Sequence, residues 1–270
     1  MSDVTAVVLD LDGGAMLADC VASLLRQTTA FAKVLVFDNG SRTPVQARLD
    51  APVDGAIDII RVEENLGFAG GANAALPHVT TDFVALINND VVLDDDWLAV
   101  VRAAFDDDAK LAAAQTILRR DAATLDGAGI DIRDGTLRQV AHGAPVSARV
   151  ADAWGVSATA TVYRVAALGG TFFDERFFAY YEDVDLCARL VEAGWRLRVI
   201  PQVKATHRGS QSASRLGVRA RYLRTRNRYL VARRHRGVGR IGALLVEDVK
   251  MLVRGRGSLR GIVEGLLGRW

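Results

Sequence analysis

The chain has few cysteines, few lysines, few prolines and no long apolar run. Two cysteines occur in 270 residues, and Cys20 and Cys187 lie in apolar helical patterns without a second Cys or a His at metal-ligand spacing. A disulfide scaffold is therefore excluded, and both thiols are predicted core residues. The absence of about 18 consecutive apolar residues argues against a membrane-spanning helix. The start, MSDVTAVVLD, lacks a basic region followed by an apolar stretch, so we predict no secretory signal and a cytoplasmic protein.

Charge is distributed unevenly along the chain. Residues 204–270 contain 15 Arg and 2 Lys against 3 acidic residues, a net +14, so residues 1–203 carry −12 within the total of +2. Such a separation predicts an acidic catalytic body followed by a basic tail that meets anionic lipid or another polyanion. At 50% hydrophobic residues, the chain is long enough to bury the core of one decorated α/β domain.

Short β-rich runs alternate with helical patterns over the first hundred residues, as in a parallel sheet with crossover helices. The predicted strands are Val4–Leu9, Lys33–Phe37, Ile57–Val62 and Phe83–Ile87. The predicted helices are Met16–Gln27, Thr43–Leu49, Phe68–Leu76 and Asp95–Phe105.

The pattern loosens over residues 111–163, where we expect insertion loops and one or two mixed strands. An amphipathic helix is predicted at Glu182–Ala193, and a strand at Trp195–Ile200 that Pro201 stops. Arg-rich helices, broken near Gly237 and Gly255, follow Ser210. We therefore divide the chain into a body, 1–210, with halves 1–106 and 107–210, and a basic helical extension, 211–270.

Polar side chains follow all four predicted strands of the first half. They are Asp10 and Asp12, the run Asp38-Asn39-Gly40-Ser41, the run Asn65-Leu66-Gly67, and the run Asn88-Asn89-Asp90. In open α/β sheets, ligands bind beyond the carboxyl ends of the strands, so a binding site is predicted there.

The first of these runs, VLDLDGG, permits a phosphatase of the haloacid-dehalogenase type, with Asp10 as nucleophile and Asp12 as general acid. That chemistry needs a Ser or Thr after the glycine, where Gly14 stands, and a lysine to offset phosphate charge. The chain has four lysines, of which Lys33 begins a strand and Lys110 follows an acidic helix end. We keep this phosphatase as an alternative.

Five segments taken together resemble the family 2 glycosyltransferases of GT-A fold, particularly the rhamnosyltransferase-like branch. They are VFDNGS, NLGFAGGAN, INNDV, FFDERFFAYYEDVDLCARLVEAGW and the later His207, and the resemblance covers about residues 4–210. It implies an α/β fold with a Rossmann-like, mostly parallel sheet flanked by helices, here followed by a helical C-terminal extension. It also implies an inverting transfer from a nucleotide-diphosphate sugar, of the dTDP-rhamnose or UDP-hexose type.

The resemblance implies that the first three strand ends bind the nucleotide. Asp38 would accept the imide N–H of uracil or thymine, unless its carboxylate only closes an Asx turn with Gly40. Asp10 would contact the nucleoside and Asp12 would brace its loop. In the family this loop carries an aromatic residue and amides, so Leu11 and the two carboxylates are departures.

Glycines before a helix suit close approach of the backbone to a nucleotide. From the stretch NLGFAGGAN, the resemblance assigns Asn65, Gly67 and Asn73 to donor binding, together with Asn88 from the fourth strand. A dinucleotide fingerprint is the rival interpretation of these glycines. That fingerprint belongs after the first strand, whereas this one follows the third.

Metal binding and catalysis are implied for later residues. Asp90 and His207 would hold Mg²⁺ or Mn²⁺ on the diphosphate, although a lone histidine is also commonly structural. Asp183 would be the general base, with Glu182 and Trp154 at the acceptor. The alternative for Glu182 and Asp183 is simple capping of the helix that they open.

The tail segment RARYLRTRNRYLVARRHR is predicted to be a basic amphipathic helix on anionic lipid, near an acceptor glycan carried by a polyprenyl diphosphate. Its apolar residues are Tyr222, Leu223, Tyr229, Leu230 and Val231. The alternative is a helix that packs on the body. No nucleic-acid partner is expected, because no reading module accompanies the charge. A sugar-nucleotide-binding domain without catalysis stays open as a further alternative.

Overall fold

A mixed sheet and its helices account for most of the chain that the computed structural model describes, which is residues 3–49, 57–132, 135–150, 152–209 and 211–270, without the side chains of 211–216. The strands are β1 (Val4–Asp10), β2 (Lys33–Asn39), β3 (Asp58–Val62), β4 (Phe83–Asn88), β5 (Val91–Leu93), β6 (Leu111–Arg119), β7 (Leu125–Gly127), β8 (Ile130–Asp131), β9 (Arg138–Gln139), β10 (Ala160–Arg164) and β11 (Arg196–His207). The helices are α1 (Ala15–Leu25), α2 (Gly67–Ala75), α3 (Trp97–Ala103), α4 (Val165–Leu168), α5 (Glu182–Glu192), α6 (Gln211–Arg234), α7 (Ile241–Val253) and α8 (Leu259–Leu267). The predicted domain boundary at Ser210 lies outside the described residues.

The main sheet has the strand order β3-β2-β1-β4-β10-β6-β11-β5, with β7 paired to β6. Strands β3, β2, β1 and β4 are parallel, β10 runs antiparallel to both of its neighbours, and β11 is parallel to β6. The prediction of an α/β fold with a mostly parallel sheet, flanking helices and a helical C-terminal region is confirmed. All four parallel strands of the first half bring their carboxyl ends to the same edge.

Both faces of the sheet are buried, as the continuous apolar run of β1 predicts. Val7 and Leu9 belong to the core cluster on one face, together with α2 and α5 residues. Val4, Ala6 and Val8 belong to the cluster on the other face, together with α1 and α3 residues. Because successive side chains of a strand point to opposite faces, one apolar strand supports both layers of helices.

The predicted helix Thr43–Leu49 was wrong. A single 3₁₀ turn, Val45–Ala47, takes its place. The Asp38 side chain accepts a hydrogen bond from the backbone N–H of Val45 at 3.0 Å, so the segment is held as a turn beneath β2. Local side-chain hydrogen bonding of this kind competes with the regular helix.

The prediction that Pro201 ends the last strand was also wrong. Strand β11 continues to His207, with shifts in its register against β6 between Ile200 and Val203 and between Val203 and Ala205. A proline is tolerated within a strand at such an irregularity because no ladder hydrogen bond is required of its nitrogen. The extra residues beyond Pro201 carry His207 to the edge of the sheet where the other polar residues collect.

The C-terminal helices are attached to the body by apolar packing. Leu230, Val231 and Val238 belong to the central core cluster, and Leu223 and Tyr229 are also buried. Helix α6 therefore packs on the body, which was the alternative interpretation of the tail. The predicted breaks near Gly237 and Gly255 are confirmed, and a further non-helical residue, Gly217, interrupts α6. Over the described ranges, we find no helix with both the length and the apolar character needed to cross a bilayer.

Candidate active site

A cavity of about 1070 Å³ opens at the carboxyl ends of β1, β2 and β4. The first turn of α5, the segment before it and the end of β11 close its other side. The predicted site residues that line it are Asp10, Asp12, Asn65, Gly67, Asn88, Asp90, Glu182, Asp183 and His207. The structure thus brings together residues up to 197 positions apart in the chain. Asp38, Asn73 and Trp154 do not line this cavity.

Asp10 is a buried carboxylate, 1% exposed, and both of its oxygens have partners. Oδ1 accepts hydrogen bonds from the Gly13 N–H at 3.1 Å and the Asn89 amide at 2.7 Å. Oδ2 accepts from the Ser41 hydroxyl at 3.2 Å and from the Arg48 guanidinium. The arginine offsets the carboxylate charge beside the cavity, so this departure from the family's amide does not leave a bare anion there.

Asp12 holds the neighbouring loop. Asp12 adopts a positive φ of 55°. Its carboxylate accepts hydrogen bonds from the backbone N–H of Arg42 at 2.9 Å and from the Arg42 Nε–H at 3.0 Å. The Asp12 N–H donates to the Ser41 hydroxyl at 2.9 Å. These contacts join the loop after β1 to the loop after β2.

Asp38 lies beneath the cavity and is fully buried. Its oxygens accept from the N–H of Ser41 at 3.0 Å, the N–H of Val45 at 3.0 Å and the guanidinium of Arg61 at 2.7 Å. Burial raises the pKa of this carboxyl, but these hydrogen bonds outweigh burial and lower the pKa below its ordinary value. The bond from Ser41 lies one residue beyond the Asx turn with Gly40 that was the alternative to base recognition, and it orders the loop that lines the cavity.

Asn65 and Gly67 shape the cavity wall at the start of α2. The Asn65 side chain accepts from the Gly67 N–H at 2.8 Å, and the Gly67 carbonyl accepts from the Asn39 amide at 2.8 Å. Gly67 has φ of 76°, and a Cβ there would lie 2.5 Å from the Phe178 carbonyl oxygen. Only glycine fits, because the conformation and the close backbone contact both exclude a side chain.

Two predicted residues lie elsewhere. The Asn73 amide donates to the Phe173 carbonyl at 2.8 Å and to Glu175 at 3.1 Å, and its oxygen accepts from the Phe173 N–H at 2.9 Å. Asn73 therefore joins α2 to the segment before α5. Trp154 packs against the central core cluster. Neither residue reaches the cavity in this structure.

Two buried oxygens lie at the end of β4. Asn88 Oδ1 has no hydrogen-bond partner among the described residues, and Asp90 Oδ1 has none besides the His207 ring. The Nε2 of His207 lies 3.2 Å from Asp90 Oδ1, and its Nδ1 lies 2.7 Å from Asp126 Oδ2. Burial lowers the pKa of His207, but the hydrogen bonds to Asp126 and Asp90 outweigh it and raise the pKa to about 9. A buried amide oxygen without a donor beside a buried carboxylate suits a hard cation, which prefers oxygen ligands.

Several cavity residues were missed by sequence reasoning. Asp126 is buried and contacts His207, Arg120 and His142, yet in the sequence it stands only before a Gly-rich turn. Cationic side chains also line the cavity, namely Arg42, Arg120, Arg138 and Arg224. No sequence motif marked Asp126, because its contact with His207 depends on the part of β11 beyond Pro201, which was not predicted.

Glu182 and Asp183 begin α5 and both line the cavity. Asp183 Oδ1 accepts from the Val184 N–H at 2.9 Å, and Oδ2 accepts from the Ala158 N–H at 3.4 Å. Glu182 Oε2 is buried without a partner among the described residues. Burial raises the pKa of Asp183, and burial together with the Asp183 charge raises that of Glu182 well above its ordinary value. Burial therefore favours the protonated form of both acids, and the Asp183 charge favours it further for Glu182.

The segment before α5 is strained, and an α6 side chain holds it. Phe178, Tyr180 and Tyr181 have φ values of 64°, 72° and 69°, which residues other than glycine rarely adopt. The Asn227 amide donates to the carbonyls of Phe177 at 3.0 Å, Ala179 at 2.9 Å and Tyr180 at 2.8 Å. The C-terminal helix thus fixes the backbone that delivers Glu182 and Asp183 to the cavity.

Comparison with known proteins identifies relatives of this chain. The family model described as "Glycosyl transferase family 2" matches residues 12–168. Two curated relatives, both called pre-mycofactocin glycosyltransferase, come from Mycobacterium tuberculosis strains CDC 1551 / Oshkosh and ATCC 25618 / H37Rv. Each is 31% identical over 208 residues, which is 76% of this chain and 42% of the relative. The chain therefore spans less than half the length of these relatives.

Solved structures share the fold. The mannosyltransferase PcManGT from Pyrobaculum calidifontis, in complex with GDP-Man and Mn²⁺, aligns with a TM-score of 0.64 at 15% identity over 98% of this chain and 79% of that one. Residues 1–349 of S. aureus TarS align with a TM-score of 0.55 at 17% identity over 85% of this chain and 64% of that one. These similarities confirm the GT-A arrangement of the sheet.

Proposed function

The chain belongs to glycosyltransferase family 2, and from this we propose that it transfers a sugar from a nucleotide-diphosphate donor to a hydroxyl of a glycan, with inversion. One observation carries the proposal. Asp183, a carboxylate whose pKa is raised by burial, lines the same cavity as the partnerless Asn88 oxygen and the Asp90 carboxylate beside His207. A base and an anion-neutralising centre are the two things that a single displacement at an anomeric carbon needs.

In this mechanism Asp183 is the general base. As the acceptor oxygen bonds to the anomeric carbon, its proton passes to the Asp183 carboxylate. The bond from that carbon to the phosphate oxygen breaks, and its electron pair leaves with the nucleoside diphosphate. A raised pKa makes the carboxylate a better proton acceptor near neutral pH. The raised pKa of Glu182 favours its protonated form, which would donate a hydrogen bond to a substrate oxygen.

Residues at the strand ends would bind the donor. We assign nucleotide contacts to Asn65, Gly67 and the paired Asp10 and Asp12 loops, with Asp38 ordering the loop after β2. The arginines that line the cavity supply positive charge for the diphosphate. The donor is proposed to be of the dTDP-rhamnose or UDP-hexose type, and the rhamnosyltransferase-like branch remains a prediction.

Asp90, His207 and the Asn88 oxygen fit a divalent cation, Mg²⁺ or Mn²⁺. Such a cation, when bound, would neutralise charge on the departing diphosphate. Among the described residues, no group of three or more His, Cys, Asp and Glu side chains forms a metal cage. Asp90, the Asn88 oxygen and a His207 ring that has released its Nε2 proton would be three protein ligands, which suit a cation that completes its shell with phosphate oxygens and water. Asp126, hydrogen-bonded to the far nitrogen of His207, would orient that ring.

The phosphatase alternative is disfavoured by the state of Asp10. Its carboxylate is buried and hydrogen-bonded on both oxygens, including to Arg48, whereas a nucleophile must present an oxygen to the substrate. A sugar-nucleotide-binding domain without catalysis would not need two adjacent acids at the cavity, Glu182 and Asp183, whose pKa values are raised by burial. Transfer therefore fits the cavity better than either alternative.

The deciding experiment compares Asp183→Asn with the intact protein, using a panel of nucleotide sugars with Mn²⁺. We expect the variant to lose at least about a hundredfold in turnover while it keeps nucleotide binding by calorimetry. Asp107→Asn, which changes an exposed aspartate outside the cavity, is the matched control. Full activity in Asp183→Asn would disprove the assignment of the base, and no transfer from any donor by the intact protein would favour a binding domain.

We further propose that the acceptor glycan is carried on a polyprenyl diphosphate, and that the protein works on the cytoplasmic membrane surface. The net charge of +14 over residues 204–270 supports an anionic surface as a neighbour. The sequence placed this contact on α6, where Leu223, Tyr229, Leu230 and Val231 are instead buried.

A further inference from the structure

The outward side of α7 is apolar. Leu245, Val246, Val249 and Val253 are all exposed, Val253 to 84% and Val246 to 57%. Their spacing of one, three and four residues puts them on one side of the helix. The opposite side carries the buried Leu244. A helix on the surface of a water-soluble domain has the reverse arrangement, with polar residues outward.

The outward side of α8 is also apolar. Leu259, Val263 and Leu267 are exposed and follow one another at intervals of four residues, with the exposed Trp270 just beyond. Gly261, Ile262 and Gly265 form the buried side, against α6. Two consecutive helices therefore present apolar stripes to solvent, which indicates an interaction surface.

The residues around these stripes are basic. Lys250, Arg254, Arg256 and Arg260 are exposed next to them. The acidic residues of this region bind arginines of the protein itself: Glu247 and Asp248 contact Arg228 and Glu264 contacts Arg260. The surplus charge of this surface is therefore positive.

We propose that the apolar stripes of α7 and α8 lie in the interface of an anionic phospholipid bilayer, with the basic residues at the headgroups. Apolar residues between cations are the pattern of a helix that lies in the plane of a membrane surface. A second copy of this chain is the poorer occupant, because pairing two such faces would bring two basic rims together. The proposal deepens the proposed function and rests on it for the lipid-linked acceptor.

Flotation of the full-length protein with vesicles tests the surface. We expect it to float with phosphatidylcholine vesicles that contain phosphatidylglycerol. The triple variant Val246→Ser/Val249→Ser/Val253→Ser should lose about tenfold or more in partitioning, because three inserted side chains become polar. Leu25→Ser, which changes a similarly exposed apolar residue on α1, is the matched control and should float like the intact protein.

A second variant tests the charge. Arg254→Gln/Arg256→Gln should lose the preference for phosphatidylglycerol over pure phosphatidylcholine vesicles, and added salt should have the same effect. Equal flotation of the triple variant and the intact protein would overturn the proposal. The proposal would also be overturned if the intact protein dimerises with rising concentration and does not bind vesicles, and if the triple variant abolishes this dimerisation.

The vesicle assay is independent of transfer. Asp183→Asn should float like the intact protein, and the triple variant should keep its transfer rate on a water-soluble acceptor. If the protein transfers sugar but does not float with vesicles, the proposed membrane surface is rejected and the proposed function stands. Absence of transfer with flotation intact would reject the proposed function alone.

Discussion

Asn227 is one residue whose importance no sequence motif suggested. Its amide binds three carbonyls of the strained segment 177–180, and it comes from a helix outside the region of family resemblance. The amide has only two N–H donors, so the bonds are shared, and a single substitution leaves several buried carbonyls unsatisfied. The position of Asp183 therefore depends on a residue 44 positions further along the chain.

We predict that Asn227→Ala lowers the free energy of unfolding by about 2–4 kcal/mol and lowers kcat at least about tenfold. Urea denaturation and steady-state kinetics measure the two effects. Asn73→Ala is the matched control, because its amide also binds a backbone carbonyl, that of Phe173, away from α5. It should lose stability but keep kcat. Equal kcat losses in both variants would contradict a specific role for Asn227.

The pair Glu182 and Asp183 predicts the pH dependence of transfer. Burial raises the pKa of Asp183, so the base should be lost on acidification at a pH above the ordinary aspartate value of about 3.8. Burial and the Asp183 charge raise the pKa of Glu182 and favour its protonated form, which glutamine resembles in shape. Glu182→Gln should therefore keep activity within about threefold and keep the acid limb of the profile of kcat/KM against pH. A collapsed activity with a shifted limb would make Glu182 the base.

At the scale of elements, period and turn signals predicted the first four strands and the order of α1, α2, α3 and α5 correctly. Over residues 111–163 the expectation of one or two strands was wrong, because five strands, β6 to β10, begin there. Two single elements failed for physical reasons. Pro201 was taken as a stop, but the irregular pairing of β11 accommodates it, and only the folded sheet shows that the strand continues. The turn at Val45–Ala47 depends on Asp38, a tertiary partner that the local pattern does not contain.

The site could be predicted only where its residues sit in motifs of fixed spacing. Strand ends and the start of α5 were identified in this way, whereas Asp126 and Asn227 reach the site through long-range packing. The faces of α7 were equally hidden. Leucine, valine and methionine occur on both sides of that helix, so the sequence did not reveal which side is buried.

His235 joins α6 to α5, and its titration predicts how their packing responds to pH. Its Nε2 lies 2.8 Å from Asp185 and its Nδ1 lies 2.8 Å from Glu192, and Arg189 and Arg234 also contact Asp185. Burial lowers the pKa of His235, but the two carboxylates outweigh it and raise the pKa above its ordinary value. The stabilisation is therefore complete below about pH 6.5 and is lost as pH rises through the raised value.

We expect the urea midpoint of the intact protein to fall with rising pH above about 6.5 more steeply than that of His235→Gln. The difference between the two curves isolates His235, because other histidines contribute to both. His78→Gln, at an exposed position, is the control for removal of a histidine. Parallel curves for the intact protein and His235→Gln would show that the contacts with Asp185 and Glu192 do not depend on charge.

At the scale of the whole molecule, the basic extension is part of the core. Leu230, Val231 and Val238 pack in the cluster that contains β1, α2 and α5, and Asn227 fixes the backbone at the site. The uneven charge suggested a basic tail that meets a polyanion, but charge reports on partners and does not determine which residues are buried. Removal of the extension should therefore damage the body.

We predict that a chain ending at residue 209 loses on the order of 5 kcal/mol or more in free energy of unfolding, since three buried aliphatic side chains lose their contacts at about 1.5–3 kcal/mol each. The full-length protein should unfold in one calorimetric transition, because its C-terminal helices share the core of the sheet. Val253→Ser, within the same extension but fully on its surface, should unfold like the intact protein. A separate low-temperature transition for the C-terminal helices, or an unchanged urea midpoint after truncation, would mean that α6 only rests on the body. In that outcome Asn227 would brace the catalytic segment weakly, and its variant should then keep kcat.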